Sequence, residues 1–295
     1  MKKFQIHHIL IPYDFSDTAS IAVEHAIFMA KLHKARITLL HVIATQSFLS
    51  GLSTGFSKAK TDYEKNIEGE LKEKLDKLAH EIHQKDGNEV NVLIKKGKIY
   101  REIINAAEEL QSDIIIMGTH GSGGHQENLS GTNTLKTVVH SPCPVISVQT
   151  HATRVGFKNI VIPIDNTVVS RQKVRYAVEV ARHYNSVLHF IGVMTAKKEE
   201  GQKMFEVKVR QAMYWAEDRG TQCTMKIVSG DNIAKETLAY ENEIQADLTI
   251  IMTEQEGSIG MFGGNDIQQM INNSKIPVMS VRPDKEDPDK ISVGY

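Results

Sequence analysis

The chain of 295 residues is poor in cysteine and in aromatic side chains, with two cysteines, one tryptophan and 6% aromatic residues. Two cysteines exclude the disulfide framework of a small secreted domain and favour a reducing, cytoplasmic compartment. Cys143 stands between two prolines and Cys223 lies in an alternating, strand-like run, and neither has an activating partner nearby in the sequence. Both cysteines are therefore predicted to be packing residues.

A basic excess and a long apolar run are also missing. The formal net charge is −1, which argues against broad nucleic-acid binding because such binding needs a basic face. No uncharged apolar run is long enough to span a bilayer. The chain begins Met1-Lys2-Lys3 and runs into a predicted strand instead of a signal peptide. The sequence therefore predicts a cytoplasmic protein without nucleic-acid or membrane partners.

Motifs of the common catalytic sites are missing as well. The Walker ending Gly-Lys-Ser/Thr, which brings a lysine to the β- and γ-phosphates, does not occur. No Ser/His/Asp or Cys/His arrangement can be inferred. His7 and His8 point to opposite faces of a predicted strand, so they cannot form a local two-ligand metal site. No catalytic residue and no metal ligand are predicted.

The same pattern occurs twice in the chain. Residues 9–14 read Ile-Leu-Ile-Pro-Tyr-Asp, and residues 160–165 read Ile-Val-Ile-Pro-Ile-Asp. The spacing from Asp14 to Val42 recurs from Asp165 to Val193. Pro-Val-Ile-Ser-Val at 144–148 likewise recurs as Pro-Val-Met-Ser-Val at 277–281. Repeats of this length are domains rather than solenoid units. We expect two domains, residues 1–150 and 157–283, with the boundary in the polar stretch 150–157.

Strands and helices are predicted to alternate in each half. The first half gives strands at 6–11, 36–43, 89–95, 114–117 and 145–149 and helices at 62–85, 99–110 and 132–140. Another helix follows the first strand, with Ser16 or Asp17 as its N-cap. The alternation predicts an α/β fold of two tandem doubly wound, Rossmann-like parallel sheets with helices on both faces. Such folds bind ligands beyond the carboxyl ends of the strands, so Asp14, Val42, Gly97 and Gly118 should converge.

The most informative motif follows the fourth strand. Gly118 ends the apolar run, Gly121 follows after two residues, and Gly131-Thr132 follow after nine more. Glycine lets backbone amides approach an oxyanion closely, and the first N–H groups of a helix are unpaired and suited to phosphate. Ordinary turn and helix-start geometry would explain Gly121 or Gly131 alone. The complete spacing after a strand favours a phosphate cradle.

This layout resembles a tandem universal stress protein, with two UspA-type domains covering essentially the whole chain. The nucleotide-binding signature of that family is the glycine spacing that ends in Gly-Ser or Gly-Thr, and Gly118, Gly121, Gly131 and Thr132 match it. The resemblance implies that the first half binds ATP, or ADP or AMP, with or without Mg²⁺.

The resemblance also implies roles for single residues. Asp14 takes the place of an aspartate on the adenine and ribose side, and Val42 that of a residue packed on adenine. The remaining phosphate neighbours would be His120, Asn133 and Thr134. The full predicted nucleotide-binding set is Pro12, Asp14, Val42, Met117, Gly118, His120, Gly121, Gly131, Thr132, Asn133 and Thr134. Two simpler interpretations stay open: Asp14 only caps the next helix, since Asp165 repeats it, and His120 is a solvated loop residue.

The second half has lost this signature. Residues 253–257 read Thr-Glu-Gln-Glu-Gly where the first half has Gly-Thr-His-Gly-Ser, and Gly264-Asn265-Asp266 replaces Gly131-Thr132-Asn133. Side chains now crowd the approach, and the carboxylates of Glu254, Glu256 and Asp266 would repel phosphates. We predict that this half does not bind ATP in the usual manner.

Two further expectations concern assembly. The Ser/Gly/Thr-rich stretch 44–57 leaves the second strand beside the predicted site, and it is either a flexible linker or a segment that orders on nucleotide or on a partner. Family domains commonly pair through their final strands, which would join 145–149 with 278–282 in an intrachain pseudo-dimer and cover both edges. A homodimer of such chains is a further option.

Two hypotheses for function follow. The first is a stress-response nucleotide sensor or regulator, in which occupancy of the first half alters the 44–57 segment and the binding of a protein partner. The alternative is a nucleotide-independent interaction scaffold. Slow ATP hydrolysis with Asp14 near a bound metal is a third option, and an enzyme in the full sense is not expected.

Overall fold

A computed structural model describes residues 4–44, 57–119, 132–165, 167, 169–194, 199–253 and 264–283. The elements of the first half are β1 His8–Pro12, α1 Asp17–His33, β2 Arg36–Ala44, α2 Ser57–Asp86, β3 Val90–Gly97, α3 Ile99–Glu109, β4 Ile114–Gly118, α4 Thr132–His140 and β5 Val145–Val148. The elements of the second half are β6 Asn159–Ile164, a 3-10 turn Val169–Arg171, α5 Val174–Tyr184, β7 Val187–Met194, α6 Glu199–Glu217, β8 Gln222–Ser229, α7 Ile233–Ile244, β9 Leu248–Met252, α8 Gly264–Asn273 and β10 Val278–Val281.

The strands form one ten-stranded sheet in the order β3-β2-β1-β4-β5-β10-β9-β6-β7-β8. Within each half every strand pair is parallel. The halves meet through β5 and β10, which run antiparallel with Met279 opposite Ile146. The predicted pairing of the final strands is therefore confirmed. It removes both inner edges from solvent.

The helices cover both faces of this sheet, as the alternating pattern predicts. One apolar layer combines α1, α2, α5 and α6 with one face of the strands, and the other combines α3, α4, α7 and α8 with the opposite face. Both layers contain residues of the two halves. Because burial of apolar surface drives association, the halves pack as one body and are not merely tethered.

The first strand begins two residues later than predicted, at His8 instead of Ile6. The cause lies in Asp113, whose Oδ2 accepts hydrogen bonds from the amides of His7 at 2.7 Å and His8 at 2.9 Å. The two amides are therefore hydrogen-bonded to a side chain instead of to a neighbouring strand, and β1 begins at the second of them. Asp247 repeats the arrangement in the second half, with the amides of Lys158 and Asn159 both at 2.9 Å.

The helix α1 confirms its predicted cap: the Ser16 hydroxyl accepts a hydrogen bond from the Ala19 amide at 3.2 Å. The helix α2 begins at Ser57, five residues before the predicted start. Of its predicted apolar stripe, Leu75 and Ile82 are buried and Leu71 and Leu78 are half-buried. The helix packs against β3, the strand at this edge of the sheet.

The polar stretch between the repeats packs against the first half. Ala152 and Phe157 are buried, and the ring Nε2 of His25 on α1 donates to the Ala152 carbonyl at 2.7 Å. A stretch with buried contacts of this kind does not behave as a free linker.

Candidate functional site

In the first half the order of the strands reverses at β1. β1 lies between β2 and β4, so chain connections leave in opposite directions from its two sides and a crevice opens between them. Val42 is half-buried in the same apolar layer as Met117, which is 5% exposed. Pro12 ends β1 and is half-buried. The predicted adenine side is thus an apolar surface at the strand ends.

Asp14 lies at this edge and is half-buried. Its Oδ1 accepts hydrogen bonds from the Ser16 amide at 3.1 Å and from the Ser16 hydroxyl at 2.5 Å. The Ser16 hydroxyl in turn caps α1. The carboxylate is therefore fixed by the helix start through Ser16, and it retains contact with solvent.

Gly118 has a packing function that the sequence did not reveal. A Cβ at this position would lie 2.5 Å from Oγ1 and 2.9 Å from the backbone carbon of Thr18 on α1. Because backbone cannot yield as a flexible side chain does, only glycine lets β4 approach α1 this closely. The glycine spacing therefore begins with a residue that positions α1 against the site.

The start of α4 lies against the end of β4. Thr132 is its first residue, as predicted, and Asn133 is half-buried. The buried Thr134 hydroxyl donates to the Gly118 carbonyl at 3.2 Å, which ties the first turn of α4 to the end of β4. His120, Gly121 and Gly131 lie outside the described residues, as does the segment 45–56.

Two cations flank this helix start without a carboxylate partner among the described residues. Lys136, one turn into α4, places Nζ 5.3 Å from the ring centre of Tyr100 on α3, and the Arg101 guanidinium lies 5.9 Å from the same centre. Arg101 Nε donates to the Tyr100 hydroxyl at 3.1 Å, and this bond is the main cause of a lowered pKa for that phenol. Sequence reasoning missed this cluster because its members lie on different helices.

Three ring side chains pack together beside Asp14. Phe15 has a φ of 65°, an unusual value for a non-glycine residue, and is 39% exposed. The centre of its ring lies 5.1 Å from the ring centre of Tyr13 and 5.3 Å from that of His41. His41 Nδ1 donates to the Tyr13 carbonyl at 2.7 Å. His41 therefore holds the turn that carries Asp14.

The equivalent carboxylate in the second half is arranged differently. Asp165 is 5% exposed, and its Oδ1 accepts hydrogen bonds from the Thr167 amide at 2.8 Å and from the Thr167 hydroxyl at 2.5 Å. Ser170 donates nothing to it but accepts a bond from the Asp165 amide at 3.1 Å. Unlike Asp14, this carboxylate is withdrawn from the surface.

A buried lysine stands behind it. Lys173 occupies the place of Ala22 in the repeat, is 0% exposed, and donates from Nζ to the Ser170 hydroxyl at 3.0 Å. Burial lowers its pKa to about 8, against the opposing effect of the Asp165 charge. The 3-10 turn precedes α5, which begins at Val174, six residues later in the repeat than α1. The 3-10 turn takes the place of the first turns of α1, and it brings the Ser170 hydroxyl to the buried ammonium.

The cysteines and metal-binding side chains add no reactive group here. Both thiols are free and half-buried, and burial raises the pKa of Cys143 to about 12 and that of Cys223 to about 11. Among the described residues no group of three histidine, cysteine or acidic side chains is placed to hold a metal ion. None of the described helices combines the length and apolar character that a bilayer crossing requires.

Fold and site together define a tandem doubly wound α/β protein in which the strand-end aspartate is half-buried in the first half and buried in the second. The sequence pattern described as Universal stress protein family matches residues 5–149 and again residues 156–282. The chain therefore belongs to the universal stress protein family, with one family domain in each half.

Individual relatives agree with this assignment. A universal stress protein of Methanocaldococcus jannaschii is 33% identical over 153 residues, which is 48% of this chain and 93% of that protein. One from Thermus aquaticus is 30% identical over 142 residues, 48% of this chain and 97% of its own length. A universal stress protein structure from Archaeoglobus fulgidus covers 97% of this chain and 99% of its own, with a TM-score of 0.76 at 23% identity. That structure therefore shares the fold of both halves.

Proposed function

We propose that the first half binds an adenine nucleotide, ATP or ADP or AMP, at the crevice between β1 and β4, and that the protein acts as a nucleotide-dependent regulator in the stress response. The single observation that carries this proposal is the contrast between Asp14 and Asp165. The first is half-exposed on a capped helix start, and the second is 5% exposed and faces a buried lysine.

In this proposal Pro12, Val42 and Met117 supply the apolar surface for the base, and the Asp14 carboxylate accepts hydrogen bonds from ribose hydroxyls. The phosphates lie at the start of α4, where Thr132 and Asn133 present unpaired N–H groups and the helix dipole favours negative charge. Gly121, Gly131 and His120 belong to the same phosphate side as expectations from the sequence. Mg²⁺ would supply charge neutralisation on the phosphates when it is bound.

The uncompensated cations near α4 support the same ligand chemistry. Arg101 and Lys136 share one tyrosine ring and have no acidic partner among the described residues. Side chains of helical residues lean toward the helix N-terminus, so Lys136 can extend toward the phosphates. The corresponding position on α8 is the neutral Gln269, which accepts a hydrogen bond from Asn232 at 3.4 Å.

A matched pair of glycine variants tests this proposal. Gly131→Val removes the glycine before α4, and Gly264→Val alters the corresponding glycine at the start of α8. Calorimetric titration with Mg²⁺-ATP should give a loss of affinity of at least thirtyfold for the first variant and no change for the second. Equal losses in both variants, or undiminished binding in Gly131→Val, would refute the assignment of the site.

A nucleotide-independent scaffold is the second candidate, and one observation favours it. Met204, Val207 and Tyr214 on α6 are 61%, 53% and 54% exposed, an apolar stripe of the kind that marks interaction surfaces. If nucleotide-stripped protein binds no adenine nucleotide by two methods, this candidate replaces the first. Sedimentation velocity would then compare the wild type with Met204→Glu, where a change in self-association supports a contact surface on α6.

A further inference from the structure

One helix connects the candidate nucleotide site with the contact between the two halves. At its N-terminus, α1 carries Ser16 and Thr18 against Asp14 and Gly118. Toward its C-terminus, the same helix packs on residues 152–157 and on the end of α5. We call this second contact the α1 seam.

Two histidine rings meet in the α1 seam. His33 of α1 and His183 of α5 have ring centres 4.1 Å apart with an interplanar angle of 34°. His33 Nε2 is buried and has no hydrogen-bond partner among the described residues. His183 Nδ1 donates to the Glu179 carbonyl at 2.8 Å, so the other nitrogen of its neutral ring carries the lone pair. The contact thus suits two uncharged rings.

A third histidine, His25, lies two turns earlier on α1 and also has a buried ring nitrogen without a hydrogen-bond partner among the described residues. Because His25 Nε2 donates to the Ala152 carbonyl, its Nδ1 carries the lone pair, and this buried atom has no partner in the described part of the chain. The ring stacks on Phe157 with centres 6.1 Å apart. A proton on this nitrogen would create a buried donor without an acceptor.

The charges facing His33 discourage a second positive charge. His183 from α5 and His7 from the segment before β1 lower the pKa of His33 further after burial has done so, to about 4 in all. On α5, the Glu179 Oε1 is bound to Arg182 at 3.1 Å. Lys34, the residue after His33, caps the end of α1 in a left-handed conformation.

The groups around His25 give little compensation. Glu24 on the same helix raises the pKa of His25, and so does the hydrogen bond to Ala152, but burial outweighs both and lowers it. On the connecting stretch, Arg154 is paired with Asp247 at 3.2 Å and Lys158 donates to the Tyr184 carbonyl at 3.2 Å. Protonation of His25 therefore places a charge in a buried position where the attraction of Glu24 does not offset the loss of solvent.

We propose that acidification loosens the α1 seam through protonation of His25 and His33, and that α1 transmits this change to the nucleotide site as a loss of affinity. The link to affinity rests on the proposed function. A shift of α1 moves Ser16, which holds the Asp14 carboxylate, and Thr18, which packs directly on Gly118. A rigid helix whose two ends serve two sites is a physical route for coupling between them.

The seam itself is tested without nucleotide. Imidazole ¹⁵N shifts report protonation of each ring, and amide hydrogen exchange of residues 149–158, corrected for intrinsic pH effects, reports opening. We expect at least tenfold greater opening at pH 5 than at pH 7.5 in the wild type. The double variant His25→Gln, His33→Phe should change less than twofold, whereas His83→Gln, on α2, should behave as wild type. The proposed acid opening of the α1 seam would be refuted by equal opening of the wild type at both pH values, or by unchanged acid opening in the double variant.

The coupling is tested by titrating Mg²⁺-ATP into the same proteins at both pH values. We expect a tenfold weaker wild-type affinity at pH 5 and less than a threefold change in the double variant, which also controls for protonation of the nucleotide. If the double variant does not fold at pH 7.5, each single variant should retain part of the response. Wild type that opens at pH 5 but binds ATP equally well at both pH values refutes the coupling alone. Absence of ATP binding at pH 7.5 refutes the proposed function. The exchange experiment still tests whether acid opens the α1 seam.

Discussion

The two halves share a fold but treat the same positions in opposite ways. At the eighth residue after the strand-end aspartate, the first half has the buried Ala22 and the second half the buried Lys173. At the ninth residue of α3 and of α7, the first half has Ala107 and the second half Glu241. At these two positions the first half buries small apolar residues, and the second half buries charged ones. A duplicated fold thus keeps its architecture while equivalent buried positions differ in charge.

The largest expected difference comes from substituting the paired aspartates. Asp14→Asn should weaken Mg²⁺-ATP binding at least thirtyfold with little change in stability, because a half-exposed carboxylate contributes little to folding. Asp165→Asn should leave ATP binding unchanged and lower the free energy of unfolding by about 3 kcal/mol, since it removes the charge that faces a buried ammonium. Calorimetry and urea unfolding measure both; equal effects of the two variants on binding would break the comparison.

Replacing the buried lysine should stabilise the protein. Lys173→Met removes an ammonium whose pKa burial lowers from 10.5 to about 8. Folding therefore works against the charged form of this side chain at pH 7. The variant should be about 1 to 3 kcal/mol more stable at pH 7, because the Asp165 carboxylate that remains is still held by the amide and hydroxyl of Thr167. Wild-type stability rises between pH 8 and 10.5 as the ammonium deprotonates in the folded state first, so the advantage should shrink toward pH 10. An Ala22→Lys control should destabilise. A Lys173→Met protein less stable than wild type at pH 7 would contradict this account.

The buried glutamate predicts a pH dependence at a lower range. Glu241 accepts hydrogen bonds from the hydroxyls of Thr249 at 2.5 Å and Ser274 at 2.9 Å, yet burial raises its pKa from 4.5 to about 7. The folded state therefore holds a proton that the unfolded state loses, and stability falls as pH rises from 4.5 to 7. Glu241→Gln should be about 1 to 3 kcal/mol more stable at pH 8 and nearly equal to wild type at pH 4.5. Thermal unfolding at both pH values checks this, and a gain confined to pH 4.5 would show the sign to be wrong.

The smallest expected effect concerns the tie between α4 and β4. Thr134→Val removes the hydroxyl that donates to the Gly118 carbonyl and should cost about 1 kcal/mol of stability. The start of α4 should then be less fixed, with a severalfold loss of ATP affinity. Thr137→Val, another buried threonine on α4, serves as the control, since its hydroxyl has no hydrogen-bond partner among the described residues. Equal ATP affinities of both variants would argue that Thr134 has no positioning role.

The sequence predicts the architecture well because the repeat and the strand-helix alternation are local signals. Helix α4 has its predicted bounds, Thr132–His140, and the Ser16 cap and the pairing of β5 with β10 are confirmed. Boundaries fail where a distant side chain intervenes, as Asp113 does at the start of β1. The late start of α5 was not foreseen, because a buried lysine in an apolar stripe is recognisable only after the stripe is placed on the sheet.

The site is less accessible to sequence reasoning. The prediction that Asp14, Val42, Gly97 and Gly118 converge follows from parallel strand ends, and the structure places the last three at or near the ends of β2, β3 and β4. The contact of Gly118 with Thr18 is a long-range approach that no local pattern encodes. The same holds for the pairing of His33 with His183 and for the cations around Tyr100, since each joins residues from separate helices.

The central claim is that one half of this duplicated fold binds nucleotide and the other does not, and a count of sites tests it most directly. Equilibrium dialysis of nucleotide-stripped protein against labelled Mg²⁺-ATP, carried to saturation, gives the number of sites per chain. The account predicts one site per chain, with an affinity that falls at least thirtyfold in Asp14→Asn and does not change in Asp165→Asn. Two sites per chain, or a single site that survives Asp14→Asn and disappears in Asp165→Asn, would contradict it.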